Sequence, residues 1–207
     1  MTLPSKIVCV GRNYRDHAKE LGNEVPKEPL IFLKPPSSII KSGEPIRLPA
    51  HSRQVEYEGE IGVVIGRRLR RATESDAAGA IASIVAANDV TARDLQKLEP
   101  QWTRAKGFDT FCPLGEPKAT ATRFEDLTVV TRVNGVERQR GTGADMVFSI
   151  PAILAYISQV MTLEPGDLVL TGTPAGVGTL QPGDEVEVEI LGVSRVKSSV
   201  VAHDSIN

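Results

Sequence analysis

The sequence predicts an α+β fold that is mostly β, with a few short helices. Short runs of apolar and β-branched residues recur along the chain and are bounded by glycine or proline, which is typical of strands. The pair Asn134-Gly135 between two such runs predicts a β-hairpin with a type I′ turn. Residues 149–161 give the clearest helix, because apolar residues recur there at helical spacing.

Composition limits the classes of protein to consider. The 207 residues are 41% hydrophobic and 24% charged, which suffices for one sizeable core and predicts a single domain. A net charge of −2 gives no electrostatic case for binding nucleic acid or an anionic membrane. No apolar run approaches the ~20 residues of a membrane span, and no signal-peptide core is present. Cys9 and Cys112 are predicted to be free buried thiols, as expected of a cytoplasmic protein.

The chain begins with short elements. Residues 6–10 are predicted to form a buried strand, followed by a helix over 14–21. Asn13 is its expected N-cap and Gly22 its C-terminal stop. A loop over 23–29 follows, because it contains two prolines. The next extended segments are expected at 30–34, 39–40 and 46–48.

The first predicted helix carries a candidate general base. His17 and Glu20 lie three residues apart and therefore share one face. A carboxylate beside an imidazole raises its basicity and orients it, as a general base requires. The same spacing also occurs in surface ion pairs on polar helices, and the spacing alone favours that interpretation.

An acidic stretch precedes the most apolar strand. Residues 55–66 are predicted to form one strand, with Glu56, Glu58 and Glu60 on the same face. Residues 61–65 are continuously apolar, which indicates burial on both faces. Carboxylates that enter a buried strand are costly unless their charge is compensated. They form either a solvated strand end or a hard-cation site, and the latter needs a third oxygen donor.

Asp89 is a candidate for that third donor. It follows the apolar run of a predicted strand over 81–90, where an aspartate is either a turn former or a ligand. The next segment, 91–96, is predicted to begin a helical turn that places Arg93 and Gln96 on one side.

Other polar segments have two interpretations each. Lys106, in a segment without periodicity, is either a cation near a site or an ordinary surface lysine. The arginine-rich segment 67–71 lacks interleaved aromatic residues, which favours a solvated turn over a phosphate site. The glycine-rich turn 172–178 follows a predicted strand over 167–171, and it either presents amides to a carboxylate or is structural.

The remaining elements follow from capping and alternation. Thr73 and Asp76 resemble a capping box at the start of a short helix. In the 149–161 helix, Ser149 is the expected N-cap and Pro151 lies in the first turn. The apolar stripe of that helix is expected to be core, and consists of Ile150, Ile153, Leu154, Ile157 and Met161. Two strands over 184–191 and 194–202 are predicted to close the chain as a hairpin.

Taken together, these segments resemble the fumarylacetoacetate hydrolase family. The resemblance extends over nearly the whole chain in the family's order, and is nearest to short, single-domain members similar to acylpyruvate hydrolases and oxaloacetate decarboxylases. The matching segments are G-R-N-Y-x-D-H-x-x-E (11–20), Y-E-G-E-I-G-V-V-I-G (57–66), N-D-V-T-A-R-D-L-Q (88–96), W-T-R-A-K-G-F-D-T-F-C-P-L-G (102–115), S-I-P-A-I-L-A-Y-I-S (149–158) and L-T-G-T-P-A-G-V-G (170–178).

The resemblance implies a mixed β-roll, a homodimer, and Mg²⁺ or Mn²⁺ as cofactor. By position in the motifs it also implies a role for each of nine residues. The metal ligands are Glu58, Glu60 and Asp89; the water-activating pair is His17 and Glu20; the substrate-contacting residues are Lys106, Arg93, Gln96 and Thr173. Glu56 falls outside the ligand pattern, and Gly59 between the two glutamates is a departure without an evident effect.

The resemblance implies metal-dependent hydrolysis of a C–C bond in a 1,3-diketo acid of the acylpyruvate type as the main reaction. In this hypothesis His17 and Glu20 deprotonate water, while Lys106 and Gln96 face the developing oxyanion. Isomerisation of unsaturated dioates and decarboxylation of oxaloacetate use the same enolate chemistry, and remain alternatives. A metal- or oxoacid-binding protein without catalysis is an alternative of another class. The expected partner is a small oxoacid, with no nucleic acid or membrane involved.

Overall fold

The computed structural model describes residues 3–20, 22 and 24–203. Met1, Thr2 and residues 204–207 lie outside the described residues. So do Leu21, the predicted last residue of the first helix, and Asn23, the predicted first residue of the following loop.

Most of the regular structure in the described residues is β-strand. The strands are β1 (Ile7–Gly11), β2 (Leu30–Lys34), β3 (Ile39–Lys41), β4 (Ile46–Arg47), β5 (Val55–Tyr57), β6 (Gly59–Ile65), β7 (Ile81–Asn88), β8 (Thr91–Ala92), β9 (Cys112–Leu114), β10 (Thr128–Val133), β11 (Val136–Thr142), β12 (Leu168–Leu170), β13 (Gly178–Thr179), β14 (Glu185–Ile190) and β15 (Ser194–Val201). The helices are α1 (Arg15–Glu20), α2 (Glu74–Ala78), α3 (Arg93–Leu98), α4 (Thr103–Lys106) and α5 (Ile150–Val160).

The strands form three sheets, of which the two larger are mixed and the smallest is antiparallel. The largest has the order β2-β1-β12-β6-β7-β9-β3, and its β1–β12 and β3–β9 pairs are parallel while the others are antiparallel. A second sheet has the order β11-β10-β14-β15-β4, and a small third sheet joins β13, β5 and β8. The predicted mostly β, α+β class with a mixed roll of strands and few helices is confirmed.

The main core lies between the large sheet, the second sheet and α5. Its buried residues include Ile61 and Val63 of β6, Val188 of β14, and Ile153 and Ile157 of α5. Since α5 presents its apolar stripe to this core, the helix is held by packing more than by intrinsic propensity. At 11 residues, α5 is the longest helix of the described residues, and none there has the length and apolar character needed to cross a bilayer.

Several local predictions are confirmed. Ser149 caps α5 by accepting a hydrogen bond from Ala152 N, and Thr73 and Asp76 form the predicted capping box of α2. Asn134 and Gly135 have φ values of 52° and 77°, as a type I′ turn between β10 and β11 requires. Cys9 and Cys112 are free and buried.

Other local predictions are wrong. The side chain of Asn13 does not cap α1; it donates to the carbonyls of Phe148 (3.1 Å) and Thr171 (2.8 Å), and so connects β1 to distant loops. The predicted strand over 55–66 is broken at Glu58, between β5 and β6. The short elements α4 and β9 were missed. For β9 the reason is that it is stabilised by pairing with the distant strands β3 and β7.

Candidate functional site

Two neighbouring strands bring three carboxylates together. Glu58 immediately precedes β6 and Asp89 immediately follows β7, and the two strands pair in antiparallel register with Gly59 opposite Asn88. Asp89 N also donates to Glu58 O (2.8 Å). One oxygen each from Glu58, Glu60 and Asp89 lies within 4.8 Å of the others, and all three side chains are buried. These residues are the predicted ligand set, which the fold places at the adjoining ends of β6 and β7.

Gly59 allows this end of β6 to pack against the second sheet. A Cβ at Gly59 would lie 1.9 Å from Thr131 Oγ1 of β10, which is far inside van der Waals contact. Its amide donates to Gln139 Oε1 of β11 (3.0 Å). The glycine that the sequence analysis left unexplained is therefore required by the close approach of β10.

Basic side chains compensate most of the negative charge. Lys106 Nζ donates to Glu58 Oε2 (2.7 Å) and to Asp89 Oδ2 (2.6 Å). Arg93 donates to Glu58 and, through Nε, to Glu56 Oε2 (2.8 Å). Glu56, which the sequence analysis left as a neighbour, therefore holds Arg93 in position. Lys106 is buried, so its interpretation as an ordinary surface lysine is excluded.

Lys34 is a site residue that the sequence analysis missed. Its Nζ lies 2.8 Å from Asp89 Oδ1, off the direction of a hydrogen bond, and donates to the carbonyls of Val90 (3.3 Å) and Lys106 (2.5 Å). The available signal was a lysine at the end of an apolar strand, directly before two prolines. A charged group there is costly unless a buried partner compensates it.

The pKa values of the site residues follow from burial and charge. Burial raises the pKa of Glu58, but Lys106 and Arg93 outweigh it and hold that pKa well below its usual range. Burial lowers the pKa of Lys106, yet Asp89 and Glu58 raise it above its ordinary value, so the ammonium stays charged. Burial together with the charges of Asp89 and Glu58 raises the pKa of Glu60 well above its ordinary value.

Glu60 is the carboxylate whose charge is least compensated. It accepts a hydrogen bond from Gly172 N (2.7 Å), but forms no ion pair within the described residues. The buried cluster has four carboxylates and three cations, so it carries a net charge of about −1 when all are ionised. Its members are Glu56, Glu58, Glu60, Asp89, Lys34, Arg93 and Lys106.

The donor set fits a divalent cation. Three buried carboxylate oxygens within reach of one another are the hard ligands that Mg²⁺ and Mn²⁺ prefer. A doubly charged ion shared by Glu58, Glu60 and Asp89 would offset the charge of Glu60, which forms no ion pair with a described cation. The site can therefore hold such an ion, and its identity as Mg²⁺ or Mn²⁺ stays a prediction.

The predicted contact between His17 and Glu20 is formed, and the glycine-rich turn anchors it. His17 Nδ1 lies 3.1 Å from Glu20 Oε2, and the imidazole is buried while Glu20 is partly exposed. The Glu20 oxygens accept from Gly176 N at 3.0 and 3.2 Å. Gly176 O in turn accepts from the Tyr57 hydroxyl (3.0 Å). The glycine-rich turn thus fixes Glu20, and Glu20 orients the ring of His17.

Thr173 is engaged within the protein. Its hydroxyl donates to Gly59 O (2.9 Å) and accepts from Gln139 Nε2 (2.8 Å). Gln139 Nε2 also donates to Pro174 O (2.7 Å). Thr173 and Gln139 therefore tie the glycine-rich turn to β6, which agrees with the structural alternative given for this turn in the sequence analysis.

Eight of the nine predicted site residues line one cavity of about 310 Å³. Glu20 is the exception, since it lies behind His17. Besides these residues, the cavity wall contains six that the sequence analysis did not assign: Val10, Gly11, Arg12, Phe32, Lys97 and Trp102. The rings of Phe32 and Trp102 pack edge to face at 5.2 Å, and Lys106 Nζ lies 5.1 Å from the Phe32 centroid. The cavity thus joins a charged floor to an aromatic wall.

Comparison with known proteins gives consistent matches. The family model described as fumarylacetoacetate (FAA) hydrolase C-terminal matches residues 6–201. The mitochondrial oxaloacetate tautomerase of Arabidopsis thaliana is 46% identical over 202 residues, covering 95% of this chain and 91% of that protein. The mitochondrial oxaloacetate decarboxylase of Dictyostelium discoideum is 43% identical over 195 residues, covering 91% of this chain and 89% of that protein.

A solved structure supports the same relationship. The crystal structure of 2-hydroxyhepta-2,4-diene-1,7-dioate isomerase from Mycobacterium marinum matches with a TM-score of 0.90 and 45% identity. The match covers 98% of this chain and 77% of that one. Sequence and fold therefore agree on one group of relatives.

Proposed function

The chain belongs to the fumarylacetoacetate hydrolase family, and on this basis we propose that it is a metal-dependent enzyme that interconverts the keto and enol forms of a 2-oxo dicarboxylate such as oxaloacetate. The observation that carries the proposal is one cavity that contains both the three carboxylates and a buried histidine. Such a site combines a cation-binding floor with a proton-transferring group, which is what enolisation of an oxoacid needs.

The names of the relatives favour this reaction over C–C hydrolysis. They are called oxaloacetate tautomerase, oxaloacetate decarboxylase and dienedioate isomerase. Each of these activities acts on a dicarboxylate and proceeds through an enol or enolate without adding water across a C–C bond. Hydrolysis of an acylpyruvate, the main reaction expected in the sequence analysis, stays a prediction.

In the proposed reaction a proton leaves C3 of the keto form. The C–H electrons form the C2–C3 double bond, and the oxygen at C2 takes up a proton. A divalent cation held by the three carboxylates would supply positive charge that stabilises the enolate oxygen. Because His17 Nδ1 faces Glu20, its Nε2 is the nitrogen that exchanges the proton with C3. Lys106 and Arg93 hold the pKa of Glu58 well below its usual range and so keep that carboxylate ionised.

The proposal is tested by following oxaloacetate with Mg²⁺, with Mn²⁺ and with a chelator. We expect metal-dependent acceleration of the keto–enol absorbance change, without stoichiometric pyruvate. If the protein binds metal but does not accelerate this change, the proposal is wrong. Rapid pyruvate formation from oxaloacetate would favour the decarboxylase, and release of acetate and pyruvate from acetylpyruvate would favour the hydrolase.

The proton-transfer role of His17 has its own test. His17→Ala should reduce the tautomerisation rate by about 100-fold or more, the usual contribution of a positioned acid–base group. Metal binding should be retained, because His17 is outside the carboxylate trio. The exposed His51 lies outside the cavity, and His51→Ala is the matched control. Full activity of His17→Ala with metal bound would exclude this role.

A further inference from the structure

Two cations at the cavity are not used by the buried cluster. Lys34, Arg93 and Lys106 each pair with a carboxylate. Arg12 and Lys97 also line the cavity, but neither forms an ion pair with any described residue. Since a guanidinium binds a carboxylate through two parallel hydrogen bonds, Arg12 is the better candidate for an anionic ligand group.

The backbone conformation of Arg12 also indicates a functional role. Its φ is 59°, in the left-handed region that favours glycine or asparagine. A long side chain in this conformation is uncommon, and such residues cluster at functional sites. Arg12 is half-buried in the loop between β1 and α1, beside Gly11, against whose backbone the Trp102 ring packs. Arg12 thus lies at the cavity wall in an uncommon backbone conformation, and its guanidinium forms no ion pair within the described part of the chain.

Charge balance indicates which ligand group the guanidinium of Arg12 would bind. With a divalent cation bound, the net charge of the buried cluster changes from about −1 to about +1. One carboxylate of the ligand neutralises that charge. A 2-oxo dicarboxylate has a second carboxylate, and the buried cluster leaves that charge unmatched. Burying it in the cavity would be costly without a cation of its own.

We propose that Arg12 is the specificity-determining residue that binds the second carboxylate of a 2-oxo dicarboxylate, and so makes the protein select dicarboxylates over monocarboxylates of equal length. The inference rests on the proposed function, because it assumes that the 2-oxo acid end binds at the three carboxylates. Lys97 is exposed on α3 and contributes only long-range attraction.

The experiment compares oxaloacetate with 2-oxobutanoate, in which a methyl group replaces the second carboxylate. Exchange of the C3 protons with deuterium, followed by NMR, reports enolisation of both. In Arg12→Gln, kcat/KM for oxaloacetate should fall about 10-fold to 100-fold, mainly through KM. The value for 2-oxobutanoate should change by less than about 2-fold. Arg12→Lys should restore part of the loss, since a lysine keeps the positive charge but cannot form the two parallel hydrogen bonds of a guanidinium.

The chain offers a matched control for the backbone. Arg71 has a φ of 51°, is exposed and lies outside the cavity. Arg12→Gly and Arg71→Gly remove the same side chain from the same backbone conformation. Both should fold and be at least as stable as the unmodified protein, and only Arg12→Gly should lose the preference for oxaloacetate. The proposal is overturned if the Arg12 variants lose kcat/KM equally for both substrates, or for neither. It is also overturned if Lys97→Gln, and not the Arg12 variants, loses the preference for oxaloacetate.

An equilibrium measurement separates this inference from the proposed function. Malate and 2-hydroxybutanoate differ by the same carboxylate-to-methyl change and do not enolise. Calorimetry of the Mn²⁺-loaded protein should show malate binding tighter, and Arg12→Gln should remove that difference. If the unmodified protein enolises neither oxoacid but still shows this difference, the proposed function fails and the inference about Arg12 stands. If malate binds no better than 2-hydroxybutanoate, the inference about Arg12 is wrong.

Discussion

Gly59 shows how a single residue without a side chain determines the site. It lies between Glu58 and Glu60, and the hydroxyl of Thr131 occupies the space that its Cβ would need. The sequence placed a glycine between two acidic residues, but gave no sign of which strand approaches it. The requirement comes from a contact between residues 72 positions apart, which no local pattern contains.

Gly59→Ala should lower the free energy of unfolding by about 1–3 kcal/mol, because the new methyl group overpacks the contact between β6 and β10. Metal affinity should fall as well, since Glu58 and Glu60 flank the displaced backbone. Thr131→Ala alone should cost little, because the Thr131 hydroxyl is buried without a hydrogen-bond partner. Urea denaturation and metal titration measure both effects.

The combination of the two variants tests the cause. Adding Thr131→Ala to Gly59→Ala should recover part of the lost stability, a coupling of about 0.5–3 kcal/mol. Gly79→Ala is the control, since Gly79 has an ordinary helical φ of −73° and its Cβ would meet nothing closer than 3.5 Å. Strictly additive losses in the double variant would show that the Thr131 contact is not the reason for the glycine.

Glu60→Gln should separate metal binding from folding. With a chelator present, it should leave the free energy of unfolding at pH 7 unchanged or higher, because it removes a buried charge without an ion pair. A divalent cation at about 100 times its Kd should stabilise the unmodified protein by about 2.7 kcal/mol. That corresponds to a rise in Tm of about 5–10 °C, which Glu60→Gln should lose.

Glu56→Gln is the matched control for Glu60→Gln. Glu56 is also a buried glutamate of the same acidic stretch, but it pairs with Arg93 and is outside the carboxylate trio. This variant should be less stable, yet keep the metal-induced rise in Tm. Calorimetric scans with and without Mn²⁺ distinguish the two. Loss of the rise in both variants would contradict the assignment of the trio as ligands.

At the scale of elements, β1 and β12 are joined by one carboxylate as well as by their parallel ladder. Asp167, just before β12, accepts hydrogen bonds from Ser5 Oγ (2.6 Å) and from Lys6 Nζ (2.5 Å). It also accepts from the amides of Ser5, Lys6 and Glu164. Burial raises the pKa of Asp167, but these hydrogen bonds outweigh it and leave the pKa below its ordinary value.

Asp167→Asn should lower the free energy of unfolding at pH 7 by about 2 kcal/mol, or the Tm by about 4–8 °C. A carboxyl whose folded-state pKa is depressed stabilises above its unfolded pKa of about 3.9, and this contribution is lost as the pH falls through the folded-state value. The difference between the two proteins should therefore shrink below about pH 4. Urea denaturation at a series of pH values measures it, and a pH-independent difference would exclude the charge as its cause.

A second element-scale contact joins the glycine-rich turn to α1. The Tyr57 hydroxyl donates a hydrogen bond to the carbonyl of Gly176, and the amide of Gly176 donates one to Glu20. Tyr57→Phe should therefore loosen α1, with kcat reduced about 2-fold to 10-fold, the value of one neutral hydrogen bond. Hydrogen exchange of the amides in residues 15–20 should become faster. Tyr156→Phe on α5 is the control, and unchanged exchange in Tyr57→Phe would contradict this linkage.

At the scale of the whole molecule, the homodimer implied by the family resemblance stays a prediction. Edge strand β2 exposes Leu30 and Leu33, and an exposed apolar edge is typical of a surface that another chain covers. Sedimentation should give twice the mass of one chain, and Leu33→Lys should shift the equilibrium towards the monomer. A single species with the mass of one chain, at all concentrations tested, would exclude the dimer.

The sequence by itself determined most of the local elements and identified the three carboxylates that come together. Hairpin turns, capping boxes and the apolar stripe of α5 depend on neighbours within a few residues, so periodicity and turn chemistry predict them. Eight of the nine residues expected at the site do line one cavity.

Only the tertiary structure decided how the charges are compensated. Lys34 reaches Asp89, Arg93 links Glu56 to Glu58, and Gly176 anchors Glu20 across 156 positions. The fold also interrupts the acidic strand at Glu58, and it leaves Arg12 without an ion pair among the residues that the structure describes. The physical reason is that burial makes each charge depend on whichever groups the fold brings within a few ångströms, and sequence spacing does not encode those distances.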